Sequence, residues 1–225
     1  MRNRGCAWLG VMIGVTLASA NSADAAQNKR TDLSDKAVAA TEAGQTVETL
    51  ILAYQLADHA RAAGDVRALI VAARIVTSVP TGGTNGKLPG RTDDAQGLYD
   101  EAVALARGDA PLVAEIESAR SEASRGVICA PGCGALRTVH QLPAGDKWTV
   151  RLNARGGEPL IVGVRREGKT GMDLKVYDEF GNLVCQDLSQ RATLYCRVNP
   201  IWSGPFSAVV ANHGARIVAV AMVTN

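Results

Sequence analysis

The sequence predicts an α+β protein of two domains, in which α-helical hairpins precede an antiparallel β-sandwich. Composition changes near Gly126, because alanine, leucine and arginine dominate before it and valine, glycine and turn residues dominate after it. Apolar and polar residues alternate in the last third of the chain, as in a sheet with one buried and one solvated face. The strands there are short and no helix separates them, so they are expected to pair antiparallel, since parallel pairing needs long crossovers.

The amino end has the order of regions found in a signal peptide. Arg2 and Arg4 precede the apolar run 7–17, and small residues follow it. The run is shorter than the roughly 20 residues that span a bilayer, so we expect export and removal of residues 1–26. The candidate cleavage sites follow Ala20, Ala25 and Ala26. No later segment is predicted to span a membrane, and the mature protein is expected in the periplasm or outside the cell.

Helical spacing of apolar residues marks the region 32–125. It recurs in four segments, 47–57, 66–76, 98–105 and 112–119. Gly64 followed by Asp65 is typical of one helix ending and the next beginning, and so short a turn predicts nearly antiparallel helices. In helix geometry alone, the region is loosely similar to tetratricopeptide-type hairpin arrays, which bind peptides or proteins in a groove. A plain small bundle that serves as a spacer is the equally favoured alternative. The glycine-rich segment 81–91 is predicted to be a loop.

Eight strands are predicted in the second region. They cover 137–142, 148–152, 160–165, 172–178, 182–186, 193–197, 206–211 and 216–224. In the fourth strand, Met172, Leu174 and Val176 are expected to point into the core. The segment 179–182 is predicted to be a hairpin turn, with Gly181 at the position of positive φ. The last strand is apolar on both faces, so we expect the helical region to cover its outer side.

Charge excludes one large class of function. The chain carries 24 basic and 22 acidic residues, whereas nucleic-acid binding depends on concentrated positive charge. The densest basic group, Arg165 and Arg166 with Lys169, has Glu158 and Glu167 on its flanks. We therefore expect a solvated loop there and no nucleic-acid partner.

Four cysteines remain once the leader and its Cys6 are removed. They are Cys129, Cys133, Cys185 and Cys196. An even number in an exported chain indicates disulfides, and four cysteines allow three pairings. Cys185 and Cys196 lie at the ends of a predicted hairpin between the fifth and sixth strands, so closing that loop costs little chain entropy. The other two could then close a small loop, while a zinc site is the alternative.

Residues 141–225 resemble the bacterial pre-peptidase C-terminal (PPC-like) domain. The matching positions are Asp173, Leu174, Val176, Tyr177, Asp178, Gly181, Cys196, Pro200, Ser203, Gly204, Phe206, Val210, Asn212 and 223–225. The resemblance implies a jelly-roll-like sandwich of a kind attached to exported peptidases and other enzymes, some members of which bind matrix polymers. The predicted domains are a signal peptide (1–26), a helical-hairpin domain (32–125), a cysteine-containing linker (126–136) and the sandwich (137–225).

Catalytic motifs are missing from the sequence. It has no Gly-x-Ser-x-Gly or His-Glu-x-x-His pattern, and its three histidines are His59, His140 and His213. His59 is expected on a helix surface beside Asp58. The expected oxidation disfavours cysteine nucleophiles. We therefore expect neither catalysis nor a cofactor.

Three oxygen-bearing side chains near one hairpin are weak candidate calcium ligands. They are Asp173, Asp178 and Asn182, with Asp187 close by. The alternative is that these side chains bond backbone amides at strand ends and turns. That alternative is favoured because the dense alternation of a calcium loop is missing.

Aromatic residues offer a second candidate surface. Trp148, Tyr177 and Trp202 could stack on sugar rings. Aromatic residues make up only 4% of the chain, which favours placing both tryptophans in the core. The sequence as a whole predicts an exported, noncatalytic binding or assembly protein of the cell envelope with a protein partner. The alternative is a polysaccharide-binding or enzyme-accessory module, stabilised by calcium if the candidate ligands bind it.

Overall fold

The computed structural model describes residues 30–79, 81–82, 94–123, 134–166, 168 and 170–225. Its helices are α1 (Glu42–Ala63), α2 (Val66–Ser78), α3 (Ala95–Leu105) and α4 (Ala110–Ala123). Its strands are β1 (Thr81–Gly82), β2 (Ala135–Leu142), β3 (Lys147–Ala154), β4 (Leu160–Arg166), β5 (Met172–Tyr177), β6 (Leu183–Asp187), β7 (Thr193–Val198), β8 (Gly204–Asn212) and β9 (Val218–Thr224). This is the predicted α+β fold, with helices in the first half and two antiparallel sheets in the second.

Polar side chains fix where the helices begin. Thr41, Asp65 and Asp94 each accept a hydrogen bond from the backbone N–H three residues further on, which is the N-cap contact. The α1 helix ends at Gly64, whose φ of 70° lies in the left-handed region. The predicted break between the first two helices is therefore confirmed. Within the described ranges, no helix is long and apolar enough to cross a membrane.

The strand order is that of a jelly roll. The first sheet runs β1-β2-β9-β4-β7 and the second β3-β8-β5-β6, so the first long strand lies beside the last, as eight-stranded jelly rolls require. All pairs are antiparallel except β1 with β2. The eight predicted strands agree with the observed ones to within two residues at each end. The strand β1 was not predicted, because it lies in the expected loop 81–91, whose remainder is outside the described residues.

The predicted hairpin of β6 with β7 is wrong. The β6 strand pairs with β5 in the second sheet, whereas β7 pairs with β4 in the first. The chain therefore crosses from one sheet to the other between them, and the Cys185–Cys196 disulfide joins the two sheets across that crossing, with a Cα–Cα distance of 5.9 Å. Cys129 and Cys133 lie outside the described residues.

The α1 helix covers the outer face of the first sheet. Leu50, Ile51 and Tyr54 of α1 pack with Ile161 of β4 and Val223 of β9 in one buried cluster. Both strands are consequently buried on both faces. The expectation that the helical region covers the last strand is confirmed.

Gly163 of β4 marks the closest approach between helix and sheet. A Cβ atom there would lie 2.6 Å from Ile51 Cδ1 and 2.9 Å from Val223 Cγ2, well inside van der Waals contact. Only glycine lets the helix lie this close to the strand.

The segment 30–40 ties the beginning of the described chain to the end of the sandwich. Asp32 is fully buried, and its Oδ1 accepts hydrogen bonds from the backbone N–H groups of Ile201 at 2.6 Å and Trp202 at 3.1 Å. Further along, Ser34 donates its N–H to the Asn199 carbonyl at 2.8 Å. These contacts place residues before α1 on the sandwich, so the packing of the two regions begins before the first helix.

Candidate functional site

A cleft of about 1030 Å³ lies where α1 meets the sandwich. Three segments line it: one turn of α1, the β4–β5 connection and the β6–β7 connection. The lining residues are Gln55, Asp58, His59, Arg166, Gly168, Thr170, Gly171, Gln190, Arg191, Ala192 and Thr193. We call this the junction cleft. Most of its lining side chains can donate or accept hydrogen bonds, so it suits a polar ligand.

A partly buried ion pair between β4 and α1 borders the junction cleft, and its acidic member, Asp58, belongs to the lining. Arg165 Nη1 donates to Asp58 Oδ2 at 2.5 Å and to Thr193 Oγ1 at 2.9 Å. The Arg165 side chain is only 6% exposed, and its guanidinium lies 5.7 Å from the centre of the Tyr54 ring. A charge this deeply buried requires a partner, and the partner comes from α1. The pair therefore couples the helix to the sheet.

The ion pair extends further into the helical region. Asp58 Oδ1 also accepts from Arg61 Nη1 at 3.2 Å, and Arg61 Nη2 pairs with Glu101 Oε2 of α3 at 2.7 Å. Alternating charges thus connect α3, α1 and β4. The junction cleft is held by an extended charge network rather than by one contact.

Arg166 holds the two connections that form the opposite wall. Its Nε donates to the Arg191 carbonyl at 3.2 Å and its Nη2 to the Gln190 carbonyl at 2.8 Å. Its Nη1 donates to the Gly168 carbonyl. Burial lowers the pKa of Arg166, and the positive charge of Arg165 lowers it further while Asp58 opposes the shift. A buried cation thus orders this wall through uncharged carbonyl groups.

The prediction of a solvated loop at Arg165 and Arg166 is wrong. The two residues end β4 and are 5% and 6% exposed. Glu158, which the sequence places on their flank, instead pairs with Arg155 at 3.9 Å before the opposite end of β4. The signal in the sequence was the unbroken apolar run of β4, which continues directly into the arginine pair.

The histidines do not form a catalytic group in the described part of the chain. His59 is exposed on α1 at the mouth of the junction cleft, as predicted. His140 stacks on Trp148 with ring centres 5.0 Å apart. His213 Nε2 lies 2.8 Å from Oδ2 of Asp173, which belongs to β5 of the second sheet. Each histidine therefore has a separate environment.

The candidate calcium ligands do not converge on one point. Asp173 lies near the beginning of β5, and Asp178 directly follows its end. An extended strand places two residues with this spacing about 16 Å apart. Asp178 Oδ1 accepts from the N–H groups of Asn182 at 2.8 Å and Phe180 at 3.0 Å. Asp187 Oδ2 accepts from the N–H of Tyr195 at 2.8 Å. Among the residues with described positions, no three acidic, histidine or cysteine side chains are arranged for a metal ion.

The environment of Asp178 shifts its titration. Burial by itself would raise the pKa of this carboxyl, but hydrogen bonds from the Asn182 side chain and from the backbone N–H groups of Asp32, Asn182 and Phe180 outweigh it and lower the pKa. The ionised carboxylate is therefore a structural element of the β5–β6 turn. Gly181 in the same turn has the predicted positive φ, 78°.

The candidate aromatic residues lie at different places. Trp148 packs against the sandwich core, as predicted. Trp202 does not, because its Nε1 donates to Glu179 Oε1 at 2.8 Å and its ring meets Phe180 edge-on at 6.2 Å. Tyr177 lies beside Ser207 on the outer face of the second sheet. Phe180, which the sequence reasoning missed, is 45% exposed.

No protein-family model and no curated protein matches the chain. Several solved structures are similar to it, and three of them are described here. The pre-peptidase C-terminal domain of a Bacillus anthracis collagenase is 14% identical with a TM-score of 0.35, over 40% of this chain and 87% of that one. The Yersinia pseudotuberculosis-derived mitogen is 9% identical with a TM-score of 0.34, over 41% of this chain and 85% of that one. Aeromonas hydrophila PliG, a periplasmic inhibitor of g-type lysozyme, is 14% identical with a TM-score of 0.33, over 44% of this chain and 93% of that one.

The collagenase domain is described by the same family name as the family that residues 141–225 resemble in sequence. The comparisons add no support for the likeness of the helical region to tetratricopeptide hairpins.

Proposed function

We propose that this protein is an exported, noncatalytic binding or assembly protein of the bacterial cell envelope, and that its protein partner docks at the junction cleft. The single observation that carries the proposal is the cleft itself. It is large, it is lined mainly by residues whose side chains carry a polar group, and its two walls are held together by a partly buried charge network. Such an arrangement presents a preformed concave surface, which lowers the entropic cost of binding.

Two observations support an oxidising compartment outside the cytoplasm. The leader-like order of residues 1–26 indicates export. The disulfide Cys185–Cys196 connects the two sheets, and structural disulfides persist in the periplasm and in secreted proteins.

The chemistry of the junction cleft supports binding rather than catalysis. Asp58 is already engaged by Arg61 and Arg165, and Thr193 donates to the same carboxylate at 3.4 Å. A nucleophile needs a free and oriented base within hydrogen-bond reach. Asp58 and Thr193 are committed to structural contacts, and His59 has no ion-pair partner among the described residues that would orient it.

A blocking substitution tests the proposed docking site. Gln55 is exposed on α1 and lines the cleft, so Gln55→Trp should fill its mouth without disturbing the buried network. Thr49 is also exposed on α1 but lies about 120° around the helix from Gln55, which makes Thr49→Trp the matched control.

Immobilised wild-type and variant proteins are used to capture partners from an envelope extract. We expect one defined protein to be retained by the wild type and by Thr49→Trp and lost with Gln55→Trp. Equal retention by all three proteins would refute docking at the cleft. A hydrolytic activity that copurifies with the protein and is lost with Gln55→Trp would refute the noncatalytic proposal.

A second candidate function is polysaccharide binding, favoured by the aromatic pair at the end of the sandwich. Phe180 is 45% exposed and meets Trp202 edge-on, and Ile201 beside them is 53% exposed. Exposed aromatic rings stack well on sugar rings. Retention on insoluble glycans that is lost with Phe180→Ala but kept with Gln55→Trp would support this candidate over the first.

A further inference from the structure

Among the described residues, the positive charges on the walls of the junction cleft outnumber the carboxylates. Asp58 is the one acidic side chain in the described lining, and Arg165 and Arg61 already bond both of its oxygens. Two further arginines, Arg166 and Arg191, line the same cleft. Electrostatic attraction should therefore favour an anion there.

Arg166 is the more deeply buried of these two arginines. It is only 6% exposed, and all three of its hydrogen bonds given by the structure go to uncharged backbone carbonyls. Burial removes the hydration of this guanidinium, and no described carboxylate contacts it directly to offset that cost. An anion that enters the cleft would recover part of that cost, and the low local dielectric would strengthen the attraction.

Two exposed groups can complete the recognition. The Arg191 side chain is exposed and makes no ion pair with any residue that the structure describes. His59 is exposed on the opposite side of the cleft and is equally unpaired within those residues. A guanidinium binds two oxygens of one group at once, and an imidazole N–H can donate a further hydrogen bond.

We propose that the group received by the junction cleft is an oxyanion, bound by Arg166 and Arg191 with His59 at the rim. Carboxylate and phosphate share this chemistry, and on a protein partner the carboxylate would come from an acidic side chain. The inference rests on the proposed docking function, because it names the part of the partner that enters the cleft.

The experiment is an NMR titration of the mature protein with acetate and, separately, with inorganic phosphate, at constant ionic strength set with sodium chloride. Backbone amides of Thr170, Gly171 and Ala192 report on the cleft walls. We expect saturable shifts at these amides with at least one oxyanion and none with chloride alone. A response to acetate alone indicates a carboxylate source, and a response to phosphate alone indicates a phosphoryl source.

Arg191→Ala should weaken the oxyanion response by about two- to fivefold, the size of a solvent-exposed ion pair. Arg155→Ala is the matched control, since the Arg155 side chain is 80% exposed and lies outside the cleft lining. Arg166→Lys keeps a charge but loses the planar fork, so it should also weaken the response. If Arg166→Lys does not fold, Arg191→Ala decides alone.

Shifts that do not saturate, that chloride reproduces, or that Arg191→Ala leaves unchanged would overturn the inference. This failure is distinguishable from failure of the docking proposal. If no oxyanion binds but Gln55→Trp still abolishes partner capture, docking stands without the oxyanion. If oxyanions bind but capture is insensitive to Gln55→Trp, the docking proposal fails instead.

Discussion

The two sheets of the sandwich have four long strands each, yet their sequences differ. In the second sheet, β5 alternates buried and half-buried residues along its whole length. In the first sheet, β4 and β9 are buried at every position, because α1 covers the outer face. The alternation of apolar and polar residues along a strand therefore depends on whether another element packs on the outer face of its sheet. The junction cleft opens at the side of α1, where the covered part of the first sheet ends.

The largest expected effect on stability comes from weakening the packing of α1 on the first sheet. Leu50 of α1 is 1% exposed against the first sheet, whereas Leu52 on the same helix is 58% exposed. We expect Leu50→Ala to lower the free energy of unfolding by about 2 to 5 kcal/mol through the lost burial and the cavity left behind. Leu52→Ala should change it by less than about 0.5 kcal/mol. Urea denaturation of both variants measures the difference, and similar losses would mean that the helix does not protect the sheet.

The second largest expected effect on stability comes from removing the disulfide that joins the two sheets. The Cys185–Cys196 disulfide closes a loop with a sequence separation of 11. Replacing both cysteines with alanine should cost about 2 to 4 kcal/mol, measured by thermal unfolding. Reduction of the wild type with dithiothreitol should likewise lower its melting temperature. The melting temperature of the double variant should not change with dithiothreitol. A reductant-insensitive wild type would contradict the cross-sheet bond.

A smaller effect tests the close approach of helix and covered sheet. Gly163→Ala places a Cβ atom 2.7 Å from Ile51 Cγ1, so we expect a loss of about 1 to 3 kcal/mol from overpacking. The control is Ser207→Val on β8 of the second sheet, where no described helix lies above the side chain. It should stay within about 0.5 kcal/mol of the wild type. If Gly163→Ala is as stable as this control, α1 is not seated on β4 as described.

The smallest effect concerns the second sheet and appears only in acid. The pKa of Asp178 in the folded protein lies below its ordinary value of 3.8, so its contribution is complete above that value and is lost as pH falls through the folded-state pKa. Chemical denaturation between pH 5 and about pH 2 should show a shallower loss of stability in Asp178→Asn than in the wild type. Replacement of the exposed Asp35 by asparagine is the control, and an equal slope in Asp178→Asn would contradict the structural role of this carboxylate.

Strand positions were predictable because period-two alternation is local. The pattern of Met172, Leu174 and Val176 identified both the strand and its inward face. Which sheet a strand joins was not predictable, because alternation looks the same in either sheet. The chain between Cys185 and Cys196 fits a hairpin as well as a crossing, and the hairpin was the wrong choice.

The candidate site was harder to predict than the fold, because its contacts join distant parts of the chain. Asp58 and Arg165 are 107 residues apart, so no local pattern connects them. Local charge instead suggested solvent exposure for Arg165 and Arg166. His59 and Asp58 were correctly placed on a helix surface, but nothing in the sequence showed that the sandwich ends beside them.

The strand β9 lies inside the first sheet, between β2 and β4, although it follows all the other strands in sequence. Leu136 of β2 pairs with Thr224 of β9, so the paired residues are far apart along the chain. A nascent polypeptide consequently cannot assemble this sheet until residues 218–224 have been synthesised, and such distant pairing is associated with folding in milliseconds to seconds. Until then the apolar side of α1 has no sheet to pack against and stays exposed. We therefore expect chaperones that bind unfolded chains to bind this protein before it folds.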